Sequence, residues 1–109
     1  YPERLPSACR KMSVADYANL TFEAPDREKF PLLDMAFDAI HCGGNVPCAL
    51  NAANEIAVAA SLADRIGFMQ MPEVVAEAVA RNRFIASPTY DDYVATNAEI
   101  RKIAEELIK

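Results

Sequence analysis

The pattern of apolar and polar positions is most distinctive between Pro47 and Asp64, and the rest of the chain is organised around this stretch. A first helical turn tolerates Pro47, because the N–H that proline lacks would be unpaired there. No glycine or further proline follows until Gly67. The spacing predicts one helix of about 18 residues, with Gly67 at its C-terminal cap. Apolar side chains occur on nearly every face, which is typical of the central helix of a small bundle.

Three polar side chains interrupt this helix on one face, and they are Asn51, Asn54 and Glu55. Their spacing makes them neighbours on the helix surface, and the same face continues into Val58 and Leu62. Because buried polar groups are hydrogen-bonded, we expect the three to form a structural polar network. We expect Asn54 to be buried and bonded to the backbone of an adjoining loop, so that its loss would cost about 1–3 kcal/mol.

Three further helices are predicted around the central one. An apolar stripe at helical spacing over residues 32–40 predicts a helix that ends at Gly43-Gly44, with Asp26 as a candidate N-cap upstream. A third helix is expected over about 71–82. Thr89 is the expected N-cap of the last helical region, which continues to the C-terminus. The sequence leaves open whether Thr96-Asn97 breaks that region.

Residues 1–30 differ from the rest, because three prolines and the absence of a helical period exclude a long helix. Leu20–Glu23 is the only strand-like run. The stretch carries more apolar residues than a freely solvated tether would, namely Leu5, Met12, Val14, Tyr17, Leu20 and Phe22. We expect an extended linker arm that lies on a partner surface. The predicted fold is therefore mainly α, with a four-helix bundle over 31–109, an arm over 1–30 and at most one short strand.

Length, composition and charge argue against some classes of function. The 109 residues suffice for one domain, 52% of them are apolar, and the net charge is −5. No run of basic residues is present, so we do not expect the protein to bind nucleic acid. No apolar run reaches the ~18 residues that a membrane-spanning helix needs. The chain begins at Tyr1-Pro2 without an initiator Met or a signal-peptide pattern, so we expect a piece of a longer protein.

The residues that could carry chemistry form no site. Three cysteines, Cys9, Cys42 and Cys48, fit reduced cytosolic thiols better than a disulfide framework. His41-Cys42 lacks the second histidine or paired C-x-x-C of a metal site. Adjacent acids such as Asp91-Asp92 point about 100° apart on a helix and do not converge. We therefore predict no catalytic, cofactor-binding or metal-binding residue.

Several stretches together resemble the C-terminal region of the 1-deoxy-D-xylulose 5-phosphate reductoisomerase family. They are, in chain order, Tyr1–Arg4, Leu20–Asp26, Phe30-Pro31 with Leu33, Leu50–Ala60 and Arg65–Phe68. Two positions depart from the family pattern. Ser61 stands where the family usually has a large apolar residue, and Gln70 stands where a helix-capping Asp is common, which leaves the start of the third helix in question.

The resemblance implies a parent enzyme that uses NADPH and Mg²⁺ or Mn²⁺ to make 2-C-methyl-D-erythritol 4-phosphate in non-mevalonate isoprenoid biosynthesis. It implies that the cofactor, metal and substrate residues lie upstream, so that this region is structural and inactive alone. Its expected partners are the NADPH and catalytic domains of the same polypeptide, in a homodimeric parent located in the cytoplasm, or in the plastid of a plant. A free-standing helical protein-interaction module is the alternative.

Overall fold

The computed structural model describes residue 3 and residues 5–109, and its regular elements are helical. The α-helices are α1 (Leu32–Cys42), α2 (Val46–Leu62), α3 (Met71–Ala80) and α4 (Tyr90–Ile108). Two short 3-10 helices occupy Val14–Tyr17 and Phe68–Gln70. In this described part of the chain no strand is formed, and Leu20–Glu23 belongs to no regular element. The predicted class, mainly α with four helices, is confirmed.

Helix α2 is the central helix, as predicted, because it packs against α1, α3 and α4. Its buried residues are all alanines, namely Ala49, Ala52, Ala53, Ala57 and Ala60. Side chains this short let the neighbouring helices approach closely, and Val75 of α3 and Ile100 of α4 fill the core between them. The larger apolar residues on the opposite face point outward, and Leu62 is 83% exposed.

The C-terminal end of α2 differs from the prediction. Gly67 adopts an ordinary φ of −75°, and it is Asp64 that takes the left-handed conformation, with φ of 55°. The N–H of Asp64 donates to the carbonyl of Ser61 at 3.0 Å, and that of Arg65 donates to Ala60 at 2.9 Å. This is a Schellman motif, which reverses the chain and satisfies the last carbonyls of the helix. The prediction of Gly67 as the cap is therefore wrong.

Helix α1 starts later than a cap at Asp26 would place it. The carboxylate of Asp26 accepts a hydrogen bond from the N–H of Lys29 at 3.0 Å. The backbone carbonyl of Asp26 accepts one from the N–H of Phe30 at 2.9 Å. These bonds close an isolated turn. Pro31 follows, and a proline disfavours helical geometry at the residue before it, here Phe30. The helix therefore begins at Leu32, and Asp26 is a turn residue.

The last two helices largely follow the prediction. Helix α3 ends at Ala80, two residues short of the expected boundary. Thr89 caps α4 as expected, since its hydroxyl accepts from the N–H of Asp92 at 3.3 Å while the Asp92 carboxylate accepts from the N–H of Thr89 at 2.8 Å. The helix continues without a break through Thr96-Asn97.

The described residues that precede α1 form an arm with little contact to the bundle. Residues 5–30 are all exposed, including the apolar side chains of Leu5 and Phe22. Of the stretch Tyr1–Arg4, which contributed to the family resemblance, only Glu3 lies within the described residues.

Candidate functional site

The most highly connected polar side chain is Asn45, which precedes α2 and is fully buried. Its side-chain amide nitrogen donates to the carbonyl of Arg83 at 2.9 Å and to the hydroxyl of Thr96 at 3.0 Å. It also faces the side-chain amide of Asn82 with both nitrogen-to-oxygen distances at 3.2 Å, so the two N–H groups of Asn45 are shared among three acceptors. One side chain thus joins the start of α2, the α3–α4 connection and the middle of α4.

The backbone beside Asn45 makes the same connection. The N–H of Asn45 donates to the carbonyl of Ile85 at 3.1 Å, and the N–H of Ile85 donates to the side-chain oxygen of Asn45 at 2.9 Å. Gly44 has a φ of +57°, and a Cβ there would lie 2.3 Å from the carbonyl oxygen of Ile85. Glycine is therefore required at this position both by its backbone conformation and by the close approach of the α3–α4 connection.

A second polar network joins α2 to α4 on the surface. The side-chain amide of Asn51 donates to Glu55 at 2.9 Å, and Arg101 forms an ion pair with the other carboxylate oxygen of Glu55. Arg101 also donates to the side-chain oxygen of Asn97 at 2.7 Å. Hydrogen bonds from Arg101 and then from Asn51 hold the pKa of Glu55 below its usual range. The arrangement stabilises the charged form of this carboxylate.

Asn54 is not the buried, loop-bonded residue expected from the sequence. It is half-buried, and within the described residues its side chain has no hydrogen-bond partner among the loops. It lies with Asn51 at the polar side of a groove of about 330 Å³ between α1 and α2. The other lining residues are Leu32, Ala36, Ala39, Ile40, Pro47 and Leu50, all apolar. Asn54 thus lies on the groove and not against the α3–α4 connection. The buried asparagine that bonds to a loop is Asn45.

The residues considered for metal or redox chemistry do not converge. Over residue 3 and residues 5–109, no group of three or more His, Cys, Asp or Glu side chains could hold a metal ion. All three cysteines are free thiols, and burial raises the pKa of the Cys48 thiol, whose sulfur lies 3.5 Å from the carbonyl of Tyr93. None of the helices in the described part is long and apolar enough to cross a membrane.

Two of the connecting residues escaped the sequence reasoning. Asn45 stands between Gly43-Gly44 and Pro47, a position that suggests an ordinary helix N-cap, yet its side chain makes no capping bond and reaches across the fold instead. Arg101 has the spacing of an exposed residue on α4, and nothing local identifies Glu55 as its partner. Only the position of Asn45, directly after two glycines, was a signal that could have singled it out.

Comparison with known proteins gives one consistent family. The sequence matches the family described as DXP reductoisomerase C-terminal domain over residues 1–103. The 1-deoxy-D-xylulose 5-phosphate reductoisomerase of Bacteroides thetaiotaomicron is 49% identical over 108 residues, which are 99% of this chain and 28% of that protein. The corresponding protein of Acetivibrio thermocellus is 40% identical over 109 residues, covering 100% of this chain and 29% of that protein. The chain thus spans less than a third of the length of these relatives.

A solved structure agrees with the sequence matches. The 1-deoxy-D-xylulose 5-phosphate reductoisomerase from Zymomonas mobilis, solved in complex with NADPH, superposes with a TM-score of 0.86 at 35% identity. The match covers 100% of this chain, arm included, and 29% of that one. Sequence and fold point to the same region of the same enzymes, and the chain therefore belongs to the family of DXP reductoisomerase C-terminal domains.

Proposed function

We propose that this chain serves as the helical structural domain of an NADPH-dependent reductoisomerase acting on 1-deoxy-D-xylulose 5-phosphate. The observation that carries the proposal is the match of the whole chain to 29% of a reductoisomerase that was solved with NADPH. In this proposal the remaining part of the polypeptide supplies the NADPH, metal and substrate residues, and the bundle supports it.

The geometry of the polar residues supports a structural role. Every buried side-chain nitrogen or oxygen in the described residues has a hydrogen-bond partner, as in a structural core. We propose that the face carrying Asn51, Asn54 and Glu55 is structural and not catalytic. The Mg²⁺ or Mn²⁺ that the family resemblance implies finds no donor set among the described residues.

The arm supports a docking role for the N-terminal part. We propose that residues 1–30 form a linker arm lying on the catalytic part of the same polypeptide, and that residues 31–109 form the bundle. Residues 5–30 are exposed within this chain, yet the structural match to a much longer enzyme extends over them. Apolar side chains such as Leu20 and Phe22 are buried most simply by a neighbouring domain. We further propose a homodimeric, cytoplasmic parent enzyme.

A domain exchange tests the proposal. In the Bacteroides thetaiotaomicron reductoisomerase, the 108 residues that match this chain are replaced by the chain itself. We expect the chimera to consume NADPH in the presence of 1-deoxy-D-xylulose 5-phosphate, because a domain 49% identical preserves most of the contacts it makes. We expect the isolated 109-residue chain to show neither NADPH consumption nor saturable NADPH binding by calorimetry.

Circular dichroism and thermal melting separate loss of folding from loss of function. A folded chimera without turnover would contradict the supporting role, and so would saturable NADPH binding by the isolated chain. Lys102→Ala, an exposed change on α4, is the control chimera and should retain activity. The chimera with the single change Asn45→Ala should melt at a lower temperature than the unsubstituted chimera, because this change breaks the network that joins α2 to α4.

A further inference from the structure

Helix α1 has fewer fully buried residues than any of the other three helices. Ala39 is its only buried residue, whereas α2 buries five residues and α3, a shorter helix, buries four. Phe37 and Ile40, two of its large apolar side chains, are 48% and 70% exposed. Leu32 and Met35 are half-buried against the core, so α1 is held by partly buried side chains and by Ala39 alone among fully buried ones.

Two gaps flank α1. The first is the groove of about 330 Å³ between α1 and α2. The second, also about 330 Å³, separates Met35, Ala39 and Cys42 of α1 from Ala76, Val79 and Ala80 of α3. Atoms that face a gap lack the dispersion contacts of a packed core. Between these two gaps, α1 packs on the bundle through Leu32, Met35 and Ala39.

The polar side chains of α1 do not connect it to the other three helices. In the described residues, its side-chain hydrogen bonds end within α1 or in the segment just before it. Arg27 donates to Asp34 at 2.5 Å and its guanidinium lies 5.6 Å from the centre of the Phe37 ring, while Nδ1 of His41 lies 2.7 Å from the carbonyl of Phe37. By contrast, the Asn45 network, the Glu55–Arg101 pair and the Arg65–Glu105 pair all join α4 to the α2 helix or its ends.

The junction between α1 and α2 has the geometry of a hinge. Gly43 has φ of 70° and ψ of −149°, a conformation that residues with a Cβ avoid, and open space surrounds the position of a Cβ. Two residues later, Asn45 is fully buried and fixed to Asn82, Arg83 and Thr96. The loosely held helix thus meets the most firmly held side chain across two glycines.

At its other end, α1 begins at the half-buried Leu32, and the residues before it make one partly exposed aromatic contact with the bundle. The rings of Phe30 and Phe68 meet edge to face with centroids 6.4 Å apart, and both are about half exposed. We infer that α1, together with the segment from Arg27 to Pro31, is a hinged unit that opens as a whole about Gly43 while α2, α3 and α4 stay folded.

Native-state hydrogen exchange on the 109-residue chain tests this inference. A helix of 11 residues is marginal in water without packing, so α1 loses its helical hydrogen bonds once it opens. We expect the amides of α1 to share one opening free energy and one denaturant dependence, and to exchange at least about tenfold faster than amides near Ala57 and Ile100. Graded exchange that is fastest at the helix ends would indicate fraying and would overturn the inference. Exchange of α1 together with α2 and α4 would overturn it equally, because it would show a single cooperative unit.

Two glycine variants sharpen the test. Gly43→Ala strains only the backbone, since its Cβ meets nothing within 4 Å, and the strain is relieved when α1 opens. We expect Gly43→Ala to speed exchange in α1 roughly tenfold and to leave α4 unchanged. Gly44→Ala is the matched comparison, because its Cβ would strike Ile85 and should speed exchange in every helix. Equal effects of Gly43→Ala on α1 and α4 would contradict the hinge.

A variant that fills the groove between α1 and α2 should slow hydrogen exchange in α1. Ala36 lines the groove between α1 and α2, so Ala36→Leu should add apolar contact there and slow exchange in α1 by about threefold or more. Ala98→Leu, on an exposed position of α4, is the control for the change in residue type and should leave α1 unchanged. If both variants slow α1 equally, the effect does not come from the groove and the inference is overturned.

Discussion

The side-chain amide of Asn45 donates a 3.0 Å hydrogen bond to the hydroxyl of Thr96, a residue 51 positions later in the sequence. Both residues are buried, and the bond ties the residue just before α2 to the middle of α4. The fold of the bundle thus depends on a polar contact in its interior as well as on the alanine-lined packing of α2.

Replacing Asn45 should destabilise the chain more than any change on the outer face of α2. Asn45→Ala removes the partners of the buried Thr96 hydroxyl and of the half-buried N–H of Ile85, and we expect a loss of about 2–4 kcal/mol in the free energy of unfolding. Urea denaturation measures it. Asn54→Ala, on the groove between α1 and α2, is the matched control and should change stability by less than about 0.5 kcal/mol. A larger loss from Asn54→Ala than from Asn45→Ala would contradict this reading.

The left-handed residue after α2 offers a stabilising substitution. Asp64 has φ of 55°, which is unfavourable for a residue with a Cβ and free of strain for glycine. We expect Asp64→Gly to raise the free energy of unfolding by about 0.5–1 kcal/mol, read from a thermal or urea melt. Ala63→Gly is the control, because φ there is −92° and glycine only adds disorder to the unfolded chain. The prediction fails if the two variants change stability in the same direction.

The cap of α4 should contribute measurably to stability. The Thr89 hydroxyl accepts from the N–H of Asp92 and donates to its carboxylate at 2.7 Å. Thr89→Ala removes both bonds, and we expect it to lower the free energy of unfolding by about 1 kcal/mol in denaturant melts. Thr89→Ser keeps the hydroxyl and should lose much less. Equal losses for the two variants would show that the threonine methyl group, and not the cap, is responsible.

The Glu55–Arg101 pair should make stability depend on pH. Its hydrogen bonds lower the pKa of Glu55 in the folded state relative to the unfolded state. The pair therefore stabilises the fold fully above the ordinary glutamate pKa, and this stabilisation is lost as the pH falls through the lowered pKa. We expect Glu55→Gln to melt below the unsubstituted chain at pH 7 in low salt, and the difference to disappear in acid.

Salt and a second carboxylate provide the controls for that prediction. Because Glu55 and Arg101 are partly exposed, high salt should reduce the difference in melting temperature at pH 7. Glu99→Gln changes an exposed carboxylate on α4 that has no ion-pair partner among the described residues, and it should show little pH-dependent difference. A difference for Glu55→Gln that persists in acid would show that the ion pair is not its source.

Local chemistry was enough to predict most of the helices and the family. The all-round apolar pattern between Pro47 and Asp64 predicted α2 as the central helix, and Thr89 with acidic residues after it predicted the start of α4. Each of these features involves residues within one or two turns of each other, where periodicity and capping operate. The family followed from specific short stretches such as Leu50–Ala60.

The tertiary structure alone decided which polar residues hold the bundle together. Asn45 and Asn54 are both asparagines beside apolar residues, and only the position of the α3–α4 connection over the start of α2 buries the first and leaves the second at a groove. The same holds for the pairing of Glu55 with Arg101, 46 positions away, and for the loose packing of α1. These contacts join residues far apart in the chain, so they depend on how the helices pack and not on any local pattern.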